Sequence, residues 1–140
     1  MTVSSPVGNK RSRVLVAMSL VALVFGLATV ASGGSVLFGS EQARLAAGHV
    51  VPFVLWFNSL SGFVYVVAAV GLWRAQRWAV WLAATLALAL AFVLLLFLQH
   101  VAAGGLYEMR TQVALALRLG VWCLLTLGAY RLIRRGAPAT

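Results

Sequence analysis

Residues 51–98 read VPFVLWFNSLSGFVYVVAAVGLWRAQRWAVWLAATLALALAFVLLLFL, and this stretch decides the fold of the chain. Two apolar runs, 51–73 and 78–98, flank the short basic segment RAQR. A helix that crosses a bilayer needs about 20 mostly apolar residues, and each run supplies that length. Because so few residues join the two runs, the helices must be antiparallel neighbours. The stretch therefore predicts a membrane-spanning helical hairpin with a basic tip.

Two further apolar runs, 14–32 and 113–133, lie on either side of this hairpin. Charged residues make up only 9% of the chain, whereas soluble domains carry about 25%. The sequence thus predicts an all-α fold, a four-transmembrane-helix bundle over residues 14–135. Residues 1–13 are expected to form a disordered basic tail, and residues 136–140 a short C-terminal tail. The first run exceeds the core of a cleaved signal peptide, so we expect it to be retained.

Basic residues concentrate at one end of the predicted bundle. Eight belong to this end: Lys10, Arg11, Arg13, Arg74, Arg77, Arg131, Arg134 and Arg135. The opposite end has three: Arg44, Arg110 and Arg118. Since the cytoplasmic side of a membrane protein is enriched in Lys and Arg, both termini are predicted to be cytoplasmic, in a bacterial inner (plasma) membrane. The same placement accounts for the net charge of +9 without a nucleic-acid partner.

The first outer loop is predicted to contain a short helix that lies at the membrane interface. Ser40 can cap its start, and Gly48 can end it. Leu45, Ala46 and Ala47 give it an apolar surface that can rest on the bilayer.

Small and polar residues recur at helical spacing in the first two runs. They are Ser19, Ala22, Gly26, Thr29 and Gly33 in the first, and Asn58, Ser61, Gly62 and Tyr65 in the second. Small residues let helices approach closely in lipid, so these faces are predicted to pack against other helices. The expected partners are the lipid bilayer and other membrane proteins, or a second copy of the chain through the same faces.

Both acidic residues and both histidines of the chain fall at the predicted outer end: Glu41, His49, His100 and Glu108. Imidazole nitrogens and carboxylate oxygens suit zinc, or divalent copper, nickel or iron, so a metal site is one hypothesis. A second is that His49 and His100 supply the two axial ligands of a haem. The alternative is that all four residues are polar groups at the wet rim of the membrane.

Arg118 is the charged residue placed deepest in the predicted spans. An arginine at the centre of a span costs about 2.5–3.5 kcal/mol on insertion scales and less near the ends. It is expected either to find a partner, such as Glu41 or Asn58, or to extend its side chain to the outer interface. With Asn58 and Tyr65 it can form a polar pocket, open outward, for a quinone head group, a lipid or a small anion. His49 and His100 complete the candidate ligand-binding set.

Enzyme chemistry is not favoured by this sequence. The chain has no aspartate, so a Ser-His-Asp triad cannot be assembled, and its single Cys123 cannot form an intrachain disulfide. The favoured function is a non-enzymatic accessory or interaction subunit, with no cofactor assigned. The alternative is a ligand-binding or redox subunit that uses a metal, haem or quinone at its outer face. A small dimeric transporter ranks lower, because no broken helix pair or acidic relay lies within the spans.

The plan of four short spans resembles that of the DoxX-like small membrane proteins. The resemblance rests on SGFVYVVAAVGLW, which passes through the tight basic hairpin into WAVWLAATLALAL, and covers residues 20–130 as a hydropathy plan. It implies an association with quinone-linked or thiol redox systems and transfers no functional residue. The chain departs from the usual family pattern because its first span has no charged residue after Arg13.

Overall fold

The computed structural model describes residues 6–134, which form helices and contain no strand. The elements are α1 (Pro6–Phe38), α2 (Glu41–Ala47), α3 (Pro52–Trp73), α4 (Arg77–Ala102) and α5 (Met109–Ala129), followed by a π-helical turn (Tyr130–Arg134). Every long helix provides a segment that is long and apolar enough to cross a membrane: Ser12–Phe38, Pro52–Trp73, Arg77–Ala102 and Met109–Arg134. The predicted all-α class and its four apolar spans are therefore confirmed for this part of the chain.

The first helix is longer than predicted at both ends. It begins at Pro6, so residues 6–13 are helical where the sequence predicted a disordered tail. Proline is well suited to a first helical turn, where its missing N–H leaves no bond unmade, and the helix continues through Gly8 and Asn9 despite their low helix propensity. The helix also continues past residue 32 to Phe38. The rest of the predicted N-terminal tail, residues 1–5, and the predicted C-terminal tail, 136–140, lie outside the described residues.

Helices α1 and α3 pack backbone against backbone. A Cβ atom added at Gly26 would lie 3.0 Å from the Gly62 carbonyl oxygen, and one added at Gly62 would lie 3.0 Å from the Val30 nitrogen. Ala22 and Thr29 are buried on the same face of α1. The two faces of small residues predicted from the sequence therefore contact each other within the chain. Binding of a second copy or of another membrane protein stays a prediction.

The other half of the bundle pairs α4 with α5, and α4 also packs against α3. The α3–α4 turn is tight: Ala75 has a φ of 52°, and the Gln76 N–H donates to the Gly71 carbonyl over 2.9 Å. This turn, the start of α1 and the π-helical turn lie at one end of the bundle, called here the hairpin end. The other end holds α2 and the α4–α5 connection and is called the loop end. The largest fully buried side chains are those of Trp122, Tyr65 and Phe97.

Candidate functional site

The short helix α2 forms as the sequence predicts. The Ser40 hydroxyl accepts a hydrogen bond from the Ala43 N–H over 3.3 Å, and Gly48 ends the helix with a φ of 72°. The Arg44 guanidinium donates to the Leu37 carbonyl, 3.3 Å away, in the last turn of α1. A cation at the carboxyl end of a helix satisfies a free carbonyl and complements the helix dipole. This hydrogen bond thus attaches α2 to the end of α1.

Two charged side chains at the start of α5 make hydrogen bonds to the backbone at the end of α2 and at His49. The Glu108 carboxylate accepts a hydrogen bond from the His49 N–H over 3.1 Å. The Arg110 guanidinium donates to the carbonyls of Ala46 and Ala47 over 2.9 and 3.4 Å. We call this pair, Glu108 and Arg110, the loop clamp. Arg110 is therefore used on the last residues of α2, and Glu108 on the backbone just after it.

The structure does not assemble the predicted metal ligands. Glu108 is occupied by the His49 backbone, and Glu41 lies in the first turn of α2. The His100 Nε2 lies 3.3 Å from the Leu106 carbonyl oxygen, so this side chain closes the α4–α5 turn. Within residues 6–134, no group of three or more His, Cys, Asp or Glu side chains is arranged to hold a metal ion. The topology that places these residues at one end does not direct their side chains to one point.

The two histidines have different local roles. The His100 ring packs against Gly105, where an added Cβ would overlap it. His49 instead lines a shallow cavity with Arg44 and Leu106. The haem hypothesis stays a prediction.

A cavity of about 340 Å³ lies under the loop clamp, between α1, α3 and α5. We call it the loop-end cavity. Its polar lining residues are Ser32, Ser35, Asn58, Glu108, Arg110, Thr111 and Arg118. Of the predicted ligand-binding residues, Asn58 and Arg118 line it, whereas Tyr65, His49 and His100 do not.

Arg118 is half-buried, nine residues into α5, which is about 14 Å from its start at 1.5 Å per residue. Asn58, one of the two partners predicted for Arg118, lines the same cavity. The loop clamp contributes one negative and one positive charge to the cavity, so Arg118 gives the lining a net positive charge. Glu41, the carboxylate predicted as a partner of Arg118, does not line this cavity.

Polar atoms without partners continue below the cavity. The Asn58 Oδ1, the Tyr65 hydroxyl and the Trp122 Nε1 are buried and make no hydrogen bond within the described residues. Leaving such a group unpaired costs about 1–3 kcal/mol, and more when it is charged. Asn58 lies about 9 Å into α3, whereas Tyr65 and Trp122 lie about 20 Å into their helices at the same rise per residue. Polar groups therefore descend from the loop clamp to the middle of the bundle.

Trp122 is the residue of this set that was not among the predicted site residues. Its spacing of four from Arg118 places both on one face of α5, which is the signal that could have identified it. The Tyr65 and Trp122 rings are in contact, with centroids 4.7 Å apart. This ring contact lies deeper in the bundle than Asn58 and Arg118.

A further cavity, of about 320 Å³, lies between α1 and α5 and is called the lateral cavity. Its lining is Val24, Phe25, Ala28, Thr29, Ser32, Ala114, Leu117 and Arg118. Ser32, Ala114 and Arg118 line both cavities, so the two meet at these side chains. Val24 and Leu117 are exposed, so the lateral cavity lies at the side of the bundle.

Comparison with protein-family models, with curated proteins and with solved structures finds no match to this chain. The resemblance to DoxX-like proteins therefore stays a prediction. The function proposed below rests on the contacts and charges of the loop-end cavity.

Proposed function

We propose that this chain is a small membrane protein that binds a molecule with a polar or anionic head group in the loop-end cavity. The observation that carries the proposal is the position of Arg118. Arg118 lines the cavity together with Asn58. Charged residues inside membrane spans face the bundle interior or a wet cavity and mark ligand sites more often than packing contacts.

The chemistry of the lining favours binding over catalysis. Arginine stays charged and presents a planar set of donors that matches a carboxylate or phosphate. Asn58, which also lines the cavity, adds a side-chain amide, a group that can both donate and accept hydrogen bonds. A carboxylate, a phosphate or the carbonyl of a quinone can therefore sit against this surface. The role we propose is therefore binding, in a non-enzymatic accessory subunit.

The proposed placement in the membrane has both termini in the cytoplasm of a bacterial cell and the loop end on the outer face. It is supported by the exposed basic side chains at the hairpin end: Lys10, Arg13, Arg74, Arg77, Arg131 and Arg134. Positive residues favour the cytoplasmic side of the inner membrane. Helix α2 then lies at the outer interface, where Leu45 and the nearby Phe38 are exposed and can contact lipid.

The test of binding is native mass spectrometry of the purified protein in a non-ionic detergent, after incubation with a total lipid and quinone extract. We expect the wild type to retain a small-molecule adduct that Arg118→Leu loses. Arg13→Leu, which removes an exposed charge at the hairpin end, is the matched control and should retain it. Equal adducts on all three proteins, or none on the wild type, would contradict the proposal. Arg118→Lys, which keeps the charge, should retain part of the adduct and shows whether loss follows from charge or from misfolding.

A further inference from the structure

We infer that the ligand is an anionic amphiphile, with its head group against Arg118 and an apolar chain in the lateral cavity between α1 and α5. The inference rests on the proposed function and names the chemical class of the molecule bound. It follows from three features of the structure: two cavities that meet at one arginine, a lateral cleft that helix packing leaves open, and an excess positive charge.

The two cavities differ in their lining. The loop-end cavity carries the charged and amide groups, whereas the lateral cavity is apolar apart from Thr29, Ser32 and Arg118. The Ser32 hydroxyl already donates to the Thr29 carbonyl of its own helix over 3.2 Å, and Thr29 is only 2% exposed. Arg118 is therefore the polar group that the lateral cavity offers to a ligand. A molecule that fills both spaces needs a polar end at Arg118 and an apolar end beyond it.

The lateral cavity is placed to receive a chain from the bilayer. Helices α1 and α3 are in close contact along their length, but α1 and α5 are not a closely packed pair. The cleft between α1 and α5 is bordered by Val24 and Leu117, which are 62% and 57% exposed. Surfaces of this kind face the hydrocarbon in a spanning bundle. A chain can thus enter from the side while its head group moves toward the loop-end cavity.

The charge of the lining selects an anionic head group over a neutral one. Glu108 is held by the His49 N–H, and its charge is offset by Arg110 in the same clamp. Arg118 remains positive at any accessible pH and is half-buried. A neutral head group would leave this charge without a counter-ion, at a cost that grows as the dielectric falls. A carboxylate or phosphate supplies the missing charge.

The experiment measures binding of oleate to the purified protein by native mass spectrometry, with oleyl alcohol as the neutral probe of equal chain length. Inorganic phosphate is the anion without a chain. We expect oleate to bind at least about tenfold more tightly than oleyl alcohol, a difference of one decade in Kd, and phosphate not to displace it. Arg118→Leu should weaken oleate binding by a similar factor.

A pair of substitutions on α1 tests where the chain lies. Ala28 lines the lateral cavity, whereas Ala31 is exposed outside both cavities. Ala28→Leu should fill the space and weaken oleate binding about tenfold. Ala31→Leu, the matched control, should bind as the wild type does. Both positions are on the exposed side of α1, and thermal unfolding checks that both variants are folded.

The outcomes separate this inference from the proposed function. Equal binding of oleate and oleyl alcohol overturns the anionic head group. Displacement of oleate by phosphate, with no effect of Ala28→Leu, overturns the lateral chain and leaves a site for small anions. Retention of an adduct from the extract that depends on Arg118, with no binding of oleate, overturns the inference and leaves the proposed function standing. If the wild type neither retains an adduct from the extract nor binds oleate, the inference and the proposed function are both overturned.

Discussion

The aromatic rings of Tyr65 and Trp122 join α3 to α5 at mid-bundle, with centroids 4.7 Å apart and ring planes tilted by 41°. Both side chains are fully buried, yet the Tyr65 hydroxyl and the Trp122 Nε1 have no hydrogen-bond partner in the described part of the structure. The ring contact lies between the polar groups of the loop end and the hairpin end of the bundle. It also places two unpaired polar atoms deeper in the bundle than Arg118.

Removing the Tyr65 hydroxyl should stabilise the bundle. Tyr65→Phe keeps the ring contact and removes a buried polar atom without a partner, so we expect the free energy of unfolding to rise by about 1 kcal/mol. The measurement is unfolding of the purified protein in mixed micelles of increasing denaturing detergent. Tyr130→Phe, at an exposed ring, is the control and should change little. A lower stability for Tyr65→Phe would mean that the hydroxyl has a partner in solution.

The close approach of α1 and α3 should make Gly62 intolerant of a side chain. A Cβ at this position would lie 2.7 Å from the Val30 Cγ2 and 3.0 Å from the Val30 nitrogen, so the helices must separate. We expect Gly62→Ala to destabilise the fold by about 1–3 kcal/mol, as overpacking does. Gly120→Ala is the matched control: no atom lies within 4 Å of its added Cβ, and alanine favours the helix. Unchanged stability of Gly62→Ala would contradict the packing described.

The loop clamp should order the backbone between α2 and α3. Glu108→Ala removes the acceptor of the His49 N–H, so we expect hydrogen exchange of this amide to speed up about five- to tenfold, as for a lost bond of about 1 kcal/mol. Peptide-resolved exchange over residues 45–50 measures it. Glu41→Ala removes the other acidic side chain of the same end and should leave this exchange unchanged. Equal exchange in Glu108→Ala and wild type would show that the clamp is not formed in solution.

The proposed orientation is open to a reporter assay. A green fluorescent protein fused after Thr140 should fluoresce in bacterial cells, because a C-terminus in the cytoplasm lets the reporter fold. A fusion of alkaline phosphatase at the same point should be inactive, because that enzyme needs the oxidising outer compartment. The opposite pair of results would place the C-terminus and the basic hairpin end outside.

The sequence predicts the elements of this fold better than it predicts the contacts of the site. Apolar run lengths locate all four long helices, and Ser40 and Gly48 correctly mark the ends of α2. The predicted start of α1, residue 14, was wrong, because the helix begins at Pro6. The polar residues before the apolar run extend the helix, and hydropathy does not detect them. Run lengths carry no information on such polar extensions.

The side chains at the loop end show the limit of arguments from topology. Topology correctly places Glu108 beside the His49 segment, but the structure uses the carboxylate for a backbone N–H and not for a shared metal site. The grouping of Asn58 and Arg118 at one cavity follows from helical spacing and depth, which sequence does encode. The role of Trp122 depends on which face of α5 turns toward α3, and sequence spacing leaves that direction open. The sequence does not determine which way these side chains point between neighbouring helices.

The most direct test of the account is to locate the bound chain by photo-crosslinking. An oleate analogue with a photoreactive group on its chain would be activated in the wild-type protein, and the labelled peptides identified by mass spectrometry. We predict labels on residues 24–32 of α1 and 113–118 of α5, and their loss when excess oleate is added. Labels spread over the exposed face of α4, at Leu88 and Leu95 for example, and unaffected by excess oleate, would contradict a binding site at Arg118.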